Sequence, residues 1–193
     1  GVMGGLEGVV DWGNRDFHGT STINFNVRDL GNPALPSSVE LPITVTSVND
    51  QPNFMLNQVF VQQDEDAGLQ RITEFVEQSS ILAGPADEVS QGLDFVLSIE
   101  GNVTGNLAFR TIDINAVTGD LTYQTEVDTN GEAVFRVVLR DQGLAGPAPN
   151  DNESEFQLFT INVTAINDPP TFDSGPDQTI NEDAGPILIA NWA

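Results

Sequence analysis

Cysteine and lysine are absent from this chain of 193 residues, and histidine occurs once. The lack of cysteine excludes a disulfide framework, a thiol nucleophile and a thiolate metal site, while the redox compartment stays open. Long hydrophobic runs are also missing, since no segment approaches the roughly 20 apolar residues that a membrane-spanning helix needs. Nothing near Gly1 resembles a signal peptide, so we expect any targeting or anchoring signal to lie outside this segment.

Positive charge is scarce. The chain has 29 acidic residues against 6 basic ones, all arginine, and its formal net charge is -23. Because nucleic-acid binding depends on basic side chains that neutralise phosphates, no nucleic-acid partner is expected. The chain is 39% hydrophobic, which is enough to build a core. Its acidity therefore indicates a solvated or cation-binding surface rather than disorder.

Several stretches of the chain are repeated in the same order. Residues 43–54 (ITVTSVNDQPNF) recur in similar form 118 residues later as INVTAINDPPTF. Residues 64–68 (DEDAG) recur 117 residues later as NEDAG. Residues 28–31 (RDLG) recur 112 residues later as RDQG. Similar offsets in a preserved order are typical of tandem repeats, and the range from 112 to 118 indicates a length difference of about six residues in a loop between the motifs. We predict the C-terminal half of one repeat, a complete repeat and the start of a third, at residues 1–50, 51–169 and 170–193.

Short runs of the complete repeat alternate between apolar and polar residues. This period of two is typical of half-buried strands. Glycine, proline, asparagine and aspartate separate the runs, and no long amphipathic helix is evident. About seven such strands in a repeat of roughly 118 residues fit an immunoglobulin-like sandwich. The pattern predicts an all-β fold, with strands at residues 93–99, 121–127, 133–140 and 156–165.

The repeated motifs carry a family resemblance. Residues 48–54 (VNDQPNF) and 166–172 (INDPPTF) are similar to the linker that ends a cadherin repeat, and residues 65–68 (EDAG) and 182–186 (EDAGP) to the motif that opens one. The chain as a whole resembles the cadherin-like tandem domains of large bacterial and algal surface proteins and adhesins. That resemblance implies Greek-key, immunoglobulin-like β-sandwiches on an extracellular or cell-surface protein. Further similar segments are residues 82–88, 130–135 and 191–193.

The resemblance also implies calcium between successive repeats. Calcium takes six to eight oxygen ligands at about 2.3–2.6 Å, and clustered carboxylates repel one another without the ion. By resemblance, the junction after the first partial repeat would use Asn49, Asp50, Asp87, Glu88 and Asp141. The junction after the complete repeat would use Glu65, Asp66, Asp128, Asn167 and Asp168.

A second interpretation of the linkers needs no metal. Asparagine and aspartate favour turns because their side chains bond the nearby backbone, and both linkers place these residues ahead of a proline. Where calcium-binding cadherins usually open the linker with an acidic residue, this chain has Ser47 and Ala165. From the sequence, calcium ligation and simple turn formation both stay open.

Three Asn-x-Ser/Thr sequons occur, at Asn102, Asn152 and Asn162. The first two fall in predicted loops, where a glycan could project from the surface, whereas Asn162 falls within a predicted strand. Asn102 and Asn152 are therefore the candidate glycosylation sites of a glycoprotein.

An enzymatic function has little support in the sequence. The one histidine, His18, precedes Gly19 as Asn130 precedes Gly131, so we interpret it as a turn residue rather than a catalytic base. The carboxylates recur at repeat boundaries, as a structural or cation-binding role predicts and a unique active site does not. We predict no catalytic residue and no enzymatic activity.

These observations predict a structural or adhesive extracellular module that forms a stalk or filament, with junctions stiffened by calcium. The alternative is a subunit of a laterally packed extracellular filament or appendage with metal-free linkers. The expected partners are neighbouring repeats of the same longer chain, with homotypic or surface-ligand contacts. No membrane span is expected in this segment.

Overall fold

The computed structural model describes residues 16–144 and 151–190, where the regular secondary structure is β-strand apart from one 3-10 turn at Gln78–Ser80. The predicted all-β class is confirmed. None of the helical structure in these ranges is long and apolar enough to cross a membrane. The motif at residues 191–193 lies outside the described residues, as do the first fifteen residues of the first partial repeat. The strands are β1 (Gly19–Arg28), β2 (Pro36–Val45), β3 (Phe60–Asp64), β4 (Gln70–Ile72), β5 (Leu93–Glu100), β6 (Phe109–Ile114), β7 (Leu121–Thr125), β8 (Gly131–Asp141) and β9 (Gln157–Thr164).

Strands β3 to β9 form two sheets that share one core. The four-stranded sheet has the order β3-β9-β8-β5, and the three-stranded sheet has the order β4-β7-β6. Strand β3 is parallel to β9, whereas the other neighbours are antiparallel. Because the first and last strands run in the same direction, the chain enters this unit at one end and leaves it at the other.

The core lies between the two sheets and is built from alternate residues of each strand. On β9, Phe159, Ile161 and Val163 are at most 3% exposed. Ring pairs link elements across the core, with centroids 4.9 Å apart for Phe75 and Phe159. Edge-to-face pairs of this kind add about 0.5–1.5 kcal/mol to the gain from burial. The strands predicted at residues 93–99, 133–140 and 156–165 are therefore confirmed, with small shifts at their ends.

The predicted end of one strand is wrong. Residues 121–127 were expected to alternate throughout, but β7 ends at Thr125 and Val127 is 66% exposed. The chain turns there instead, because the Thr129 hydroxyl donates to the carbonyl oxygen of Glu126 at 2.7 Å and Asp128 takes a left-handed backbone conformation with φ 55°. A single apolar residue at the correct spacing did not extend the strand.

Strands β1 and β2 form an antiparallel hairpin with the same register as β8 and β9. Gly19 pairs with Val45 and Gly131 pairs with Val163, and these pairs are related by the sequence offsets of 112 and 118 residues. A slip of one residue would turn every side chain of a strand to the opposite face. Because the register is the same, each residue of β1 and β2 points to the same side of its hairpin as the equivalent residue of β8 or β9. On β1 and β2 the face equivalent to the core remains accessible, with Phe25 45% exposed.

A charged contact joins β4 to the start of β7. The Arg71 guanidinium donates to Asp120 Oδ2 through Nε at 3.1 Å and Nη2 at 2.5 Å, and the Glu74 amide donates to Oδ1 at 3.0 Å. The hydrogen bond from Arg71, followed by that from the Glu74 amide, lowers the pKa of Asp120. A carboxyl whose pKa falls on folding stabilises the protein above its unfolded pKa, and this contribution is lost as the pH falls through the folded pKa.

Asp120→Asn is therefore expected to lower the melting temperature at neutral pH. The difference from the wild type should shrink once the pH falls below about 4, where the unfolded carboxyl protonates. Thermal melts monitored by circular dichroism between neutral and acidic pH would measure it. Asp177→Asn, at an exposed position, is the control and should have little effect. A deficit for Asp120→Asn that stays constant across this range would contradict the prediction.

Candidate functional site

Three aspartates meet at the end of the complete repeat where β9 leaves it. Asp66 follows β3, Asp128 lies in the turn between β7 and β8, and Asp168 lies in the linker after β9. One carboxylate oxygen from each lies within 4.8 Å of the other two, and all three residues are exposed. Oxygens that share one calcium ion lie no more than about 5 Å apart, since each is about 2.3–2.6 Å from the metal. The donor set and its spacing therefore fit calcium.

The local backbone holds two of these aspartates in place. Asp66 and Asp128 have φ values of 61° and 55°, in the left-handed region that aspartate tolerates better than most residues. The Asp128 amide donates to Asp66 Oδ1 at 3.0 Å. The turn after β3 and the turn before β8 are thus bonded to each other, which brings the two carboxylates together.

Glu65 connects the same two elements to the linker. Its side chain is 5% exposed, Oε2 accepts from Asn130 Nδ2 at 3.0 Å, and Oε1 accepts from the Ile166 amide at 2.8 Å. Asn167 is exposed, and its Nδ2 donates to the Asp168 carbonyl oxygen at 3.2 Å. The predicted residues of this junction therefore play different parts. Glu65 positions the linker, while Asp66, Asp128 and Asp168 present their oxygens to a common point.

The charges at this end repel one another. The pKa of Asp168 is raised by partial desolvation of its carboxylate and then by the negative charges of Asp128, Asp66 and Glu65. A divalent cation between these groups would relieve the repulsion and favour the ionised form. Within residues 16–144 and 151–190, these three aspartates are the one group of three or more possible ligands found at such short range.

The opposite end of the repeat holds the residues predicted for the first junction, in a different arrangement. Asn49 is 5% exposed, and its Nδ2 donates to Asp141 Oδ1 at 3.1 Å and to the Asp151 carbonyl oxygen at 2.7 Å. Its Oδ1 accepts from Gln91 Nε2 at 2.9 Å, and Asp141 Oδ1 also accepts from the Gly143 amide at 2.7 Å. Asn49 and Asp141 are therefore bonded to each other within a buried network that joins the linker to the repeat.

The three other carboxylates of the first junction lie beside this network. Glu88 Oε1 accepts from the Asp50 amide at 3.0 Å, while Glu88 Oε2 is buried without a hydrogen-bond partner among the described residues. Burial raises the pKa of Glu88, although the bond from the Asp50 amide opposes the shift. Burial, followed by the charges of Asp16 and Asp87, raises the pKa of Asp50. Asp87 is exposed, and its Oδ2 lies 3.2 Å from Nδ1 of His18.

Sequence reasoning missed several residues at the first junction. Asp16 precedes Asp128 by the same 112 residues that relate the two RDxG motifs, and it has a similar φ of 65°. That offset could have identified it. The contact of Asp87 with His18, which was interpreted only as a turn residue, and the role of Gln91 had no comparable signal.

Two glycines at this end lie close to the side chains of the junction. A Cβ atom on Gly143 would collide with the Asn49 side chain, and one on Gly84 would collide with the Glu88 carboxylate. The glycine of the second RDxG motif is thus explained by the approach of Asn49 rather than by a special backbone conformation.

The predicted glycosylation sites differ in accessibility. Asn102 is exposed in the loop between β5 and β6. Asn152 is half-buried, and its carbonyl oxygen accepts from the Asp141 amide at 3.2 Å. Asn162 lies on β9, where its Nδ2 donates to Glu132 Oε2 at 3.4 Å. Asn102 is the most accessible of the three sequons.

No protein-family model matches the chain, and no curated protein matches its sequence at a significant level.

Proposed function

We propose that the chain is a structural and adhesive module of a longer extracellular array, whose repeats are joined end to end and stiffened by calcium at their junctions. The observation that carries this proposal is the group formed by Asp66, Asp128 and Asp168. Two of these residues belong to the folded repeat and one belongs to the linker. One carboxylate oxygen of each lies within 4.8 Å of the other two. A cation bound there would tie the linker to the body of the repeat. We propose binding and support, with no catalytic role.

The path of the chain supports an end-to-end array. The first junction and the second lie at opposite ends of the complete repeat, because β3 and β9 are parallel. Repeats connected in this way extend in one direction. The division into four and three strands, with the first strand beside the last, is also what we expect of a Greek-key, cadherin-like sandwich.

The two junctions suggest how a complete site would be assembled. At the second junction, Glu65, Asp66 and Asp128 come from the preceding repeat, and Asp168 comes from the linker. At the first junction, Asp87 and Glu88 of the following repeat lie near the linker residue Asp50, and the Asp50 amide donates to Glu88. Since calcium takes six to eight oxygens, we propose that a full junction combines ligands from the preceding repeat, the linker and the following repeat.

Calcium binding can be tested directly on the chain by isothermal titration calorimetry at constant ionic strength. We expect calcium to bind and magnesium to bind more weakly, because magnesium requires a smaller octahedral shell and loses its water reluctantly. Calcium at a hundredfold above its dissociation constant should stabilise the fold by about 2.7 kcal/mol. Asp128→Asn and Asp168→Ala should each remove most of the heat and most of the stabilisation at the second junction.

Asp177→Asn, which removes an exposed carboxylate away from the junctions, is the matched control and should leave binding unchanged. Equal responses to calcium and magnesium would indicate simple screening of the chain's negative charge. That result, or an unchanged titration of Asp128→Asn, would leave these aspartates as turn-forming residues and the linker free of metal.

A further inference from the structure

The outer face of the four-stranded sheet carries an apolar band that the core does not use. Phe60 is 52% exposed, Phe156 49% and Leu158 42%, and the half-buried Val96 and Val134 continue the band across β8 and β5. These side chains point away from the core, since their neighbours Val61, Phe159 and Phe135 point inward. The band therefore includes an outward residue at or beside each of the four strands.

One arginine stands in the middle of this band. Arg136 pairs across the sheet with Leu158, and its guanidinium carbon lies 4.5 Å from the centre of the Phe156 ring. Arg71, Arg110 and Arg140 each contact a carboxylate, whereas Arg136 makes no ion pair within the described ranges. The band thus combines exposed aromatic and aliphatic surface with a cation that is stacked but not neutralised.

The fold itself does not require these residues. The pair Arg136 and Leu158 corresponds, by the shared register, to Asn24 and Glu40 in the hairpin of β1 and β2. At the positions of Val134 and Phe156 the hairpin has Thr22 and Ser38. The same strand pairing is therefore made with polar residues on this face. The outer face of β7 in the other sheet is polar as well, with Thr122 and Gln124.

We infer that this apolar band is a lateral contact surface for a second copy of the repeat, packed face to face about a twofold axis. Two copies of a chain with net charge -23 repel each other least where the surface has no carboxylate at its centre. Glu100 and Glu132 lie at the rim of the band, on the same face as Arg136. In a twofold contact whose axis passes between Arg136 and the rim, the Arg136 of each copy faces the carboxylate rim of the other, and the apolar side chains meet beside this pair.

The size of the face sets the strength of the contact. Four strands spaced about 4.8 Å apart, over about seven residues, cover roughly 400 Å² per copy. A stable dimer buries about 800 Å² per partner, so one face forms a weak contact that gains strength when several copies are aligned. The contact uses none of the calcium residues, and it can fail or succeed independently of the proposed junctions.

Sedimentation of the chain in the presence of a chelator would test this surface. We expect reversible dimerisation, with the dimer appearing between about 10 µM and 1 mM protein, as a weak interface predicts. Leu158→Glu and Arg136→Asn introduce the residues found at the equivalent hairpin positions, so both should fold. Each is expected to weaken dimerisation at least tenfold. Gln124→Glu adds the same charge to the outside of the other sheet and should leave dimerisation within about twofold, as surface changes away from a contact do.

Three outcomes would overturn the inference. One is a wild-type chain that remains monomeric up to about 1 mM. Another is a loss of association in Gln124→Glu as large as in Leu158→Glu, which would show a general effect of charge. The third is association that survives both Leu158→Glu and Arg136→Asn, since the accessible face around Phe25 of the hairpin would then be the contact. Melting temperatures of the variants, measured in parallel, would confirm that each one is folded.

Discussion

Replacing Phe159 with alanine is expected to lower the free energy of unfolding by about 3–5 kcal/mol, the usual cost of removing a buried aromatic side chain. Phe159 is 1% exposed and lies on β9, between β3 and β8. Its ring stacks on Phe135 at 5.2 Å and meets the edge of Phe75 at 4.9 Å. The substitution would leave a cavity beside Phe135 and Phe75, and these rings could fill it only in part.

Urea denaturation followed by circular dichroism would measure this loss. Leu158→Ala is the matched control, because Leu158 is the next residue on β9 and is 42% exposed on the other face. It should cost less than about 1 kcal/mol. Similar losses for the two variants would mean that the inward and outward faces of β9 are assigned incorrectly.

Asn49→Ala is expected to lower the free energy of unfolding by about 2–3 kcal/mol, the cost of leaving buried polar and charged groups without a partner. The Asn49 side chain donates to Asp141 and to the Asp151 carbonyl oxygen, and it accepts from Gln91. Removing it leaves the buried Asp141 with one fewer donor, although the Gly143 amide still donates to it. The link between the first linker and the body of the repeat should weaken accordingly.

The repeat supplies the control for this variant. Asn167 occupies the equivalent position in the second linker but is exposed, so Asn167→Ala should change stability by no more than about 0.5 kcal/mol. Urea denaturation in a chelator would compare the two variants. An equal effect of both substitutions would contradict a specific role for the buried network around Asn49.

The sequence by itself was sufficient to locate four strands, β5, β7, β8 and β9, and their alternation. Alternating residues such as Phe159 and Ile161 on β9 predicted the inward face, because successive side chains on a strand point to opposite sides and water-excluded positions favour apolar residues. The same alternation was misleading at Val127, where the conformation of Asp128 ends the strand. The offsets of 112 and 118 residues between repeated motifs agree with the register that β1 and β2 share with β8 and β9.

Only the tertiary structure showed that Asn49 is buried. Its side chain bonds to Gln91, Asp141 and Asp151 of the repeat that follows the linker, and these residues lie far from it along the chain. Residues so distant in sequence come into contact only when the chain has folded.

The grouping of Asp66, Asp128 and Asp168 was likewise decided by the tertiary structure. The sequence identified these residues through a family resemblance, but whether their oxygens converge depends on two left-handed turns and on the parallel pairing of β3 with β9. The apolar band around Arg136 could not be inferred from the alternation either. A period of two shows that a strand has two faces, whereas packing between sheets decides which apolar side chains are enclosed and which stay exposed.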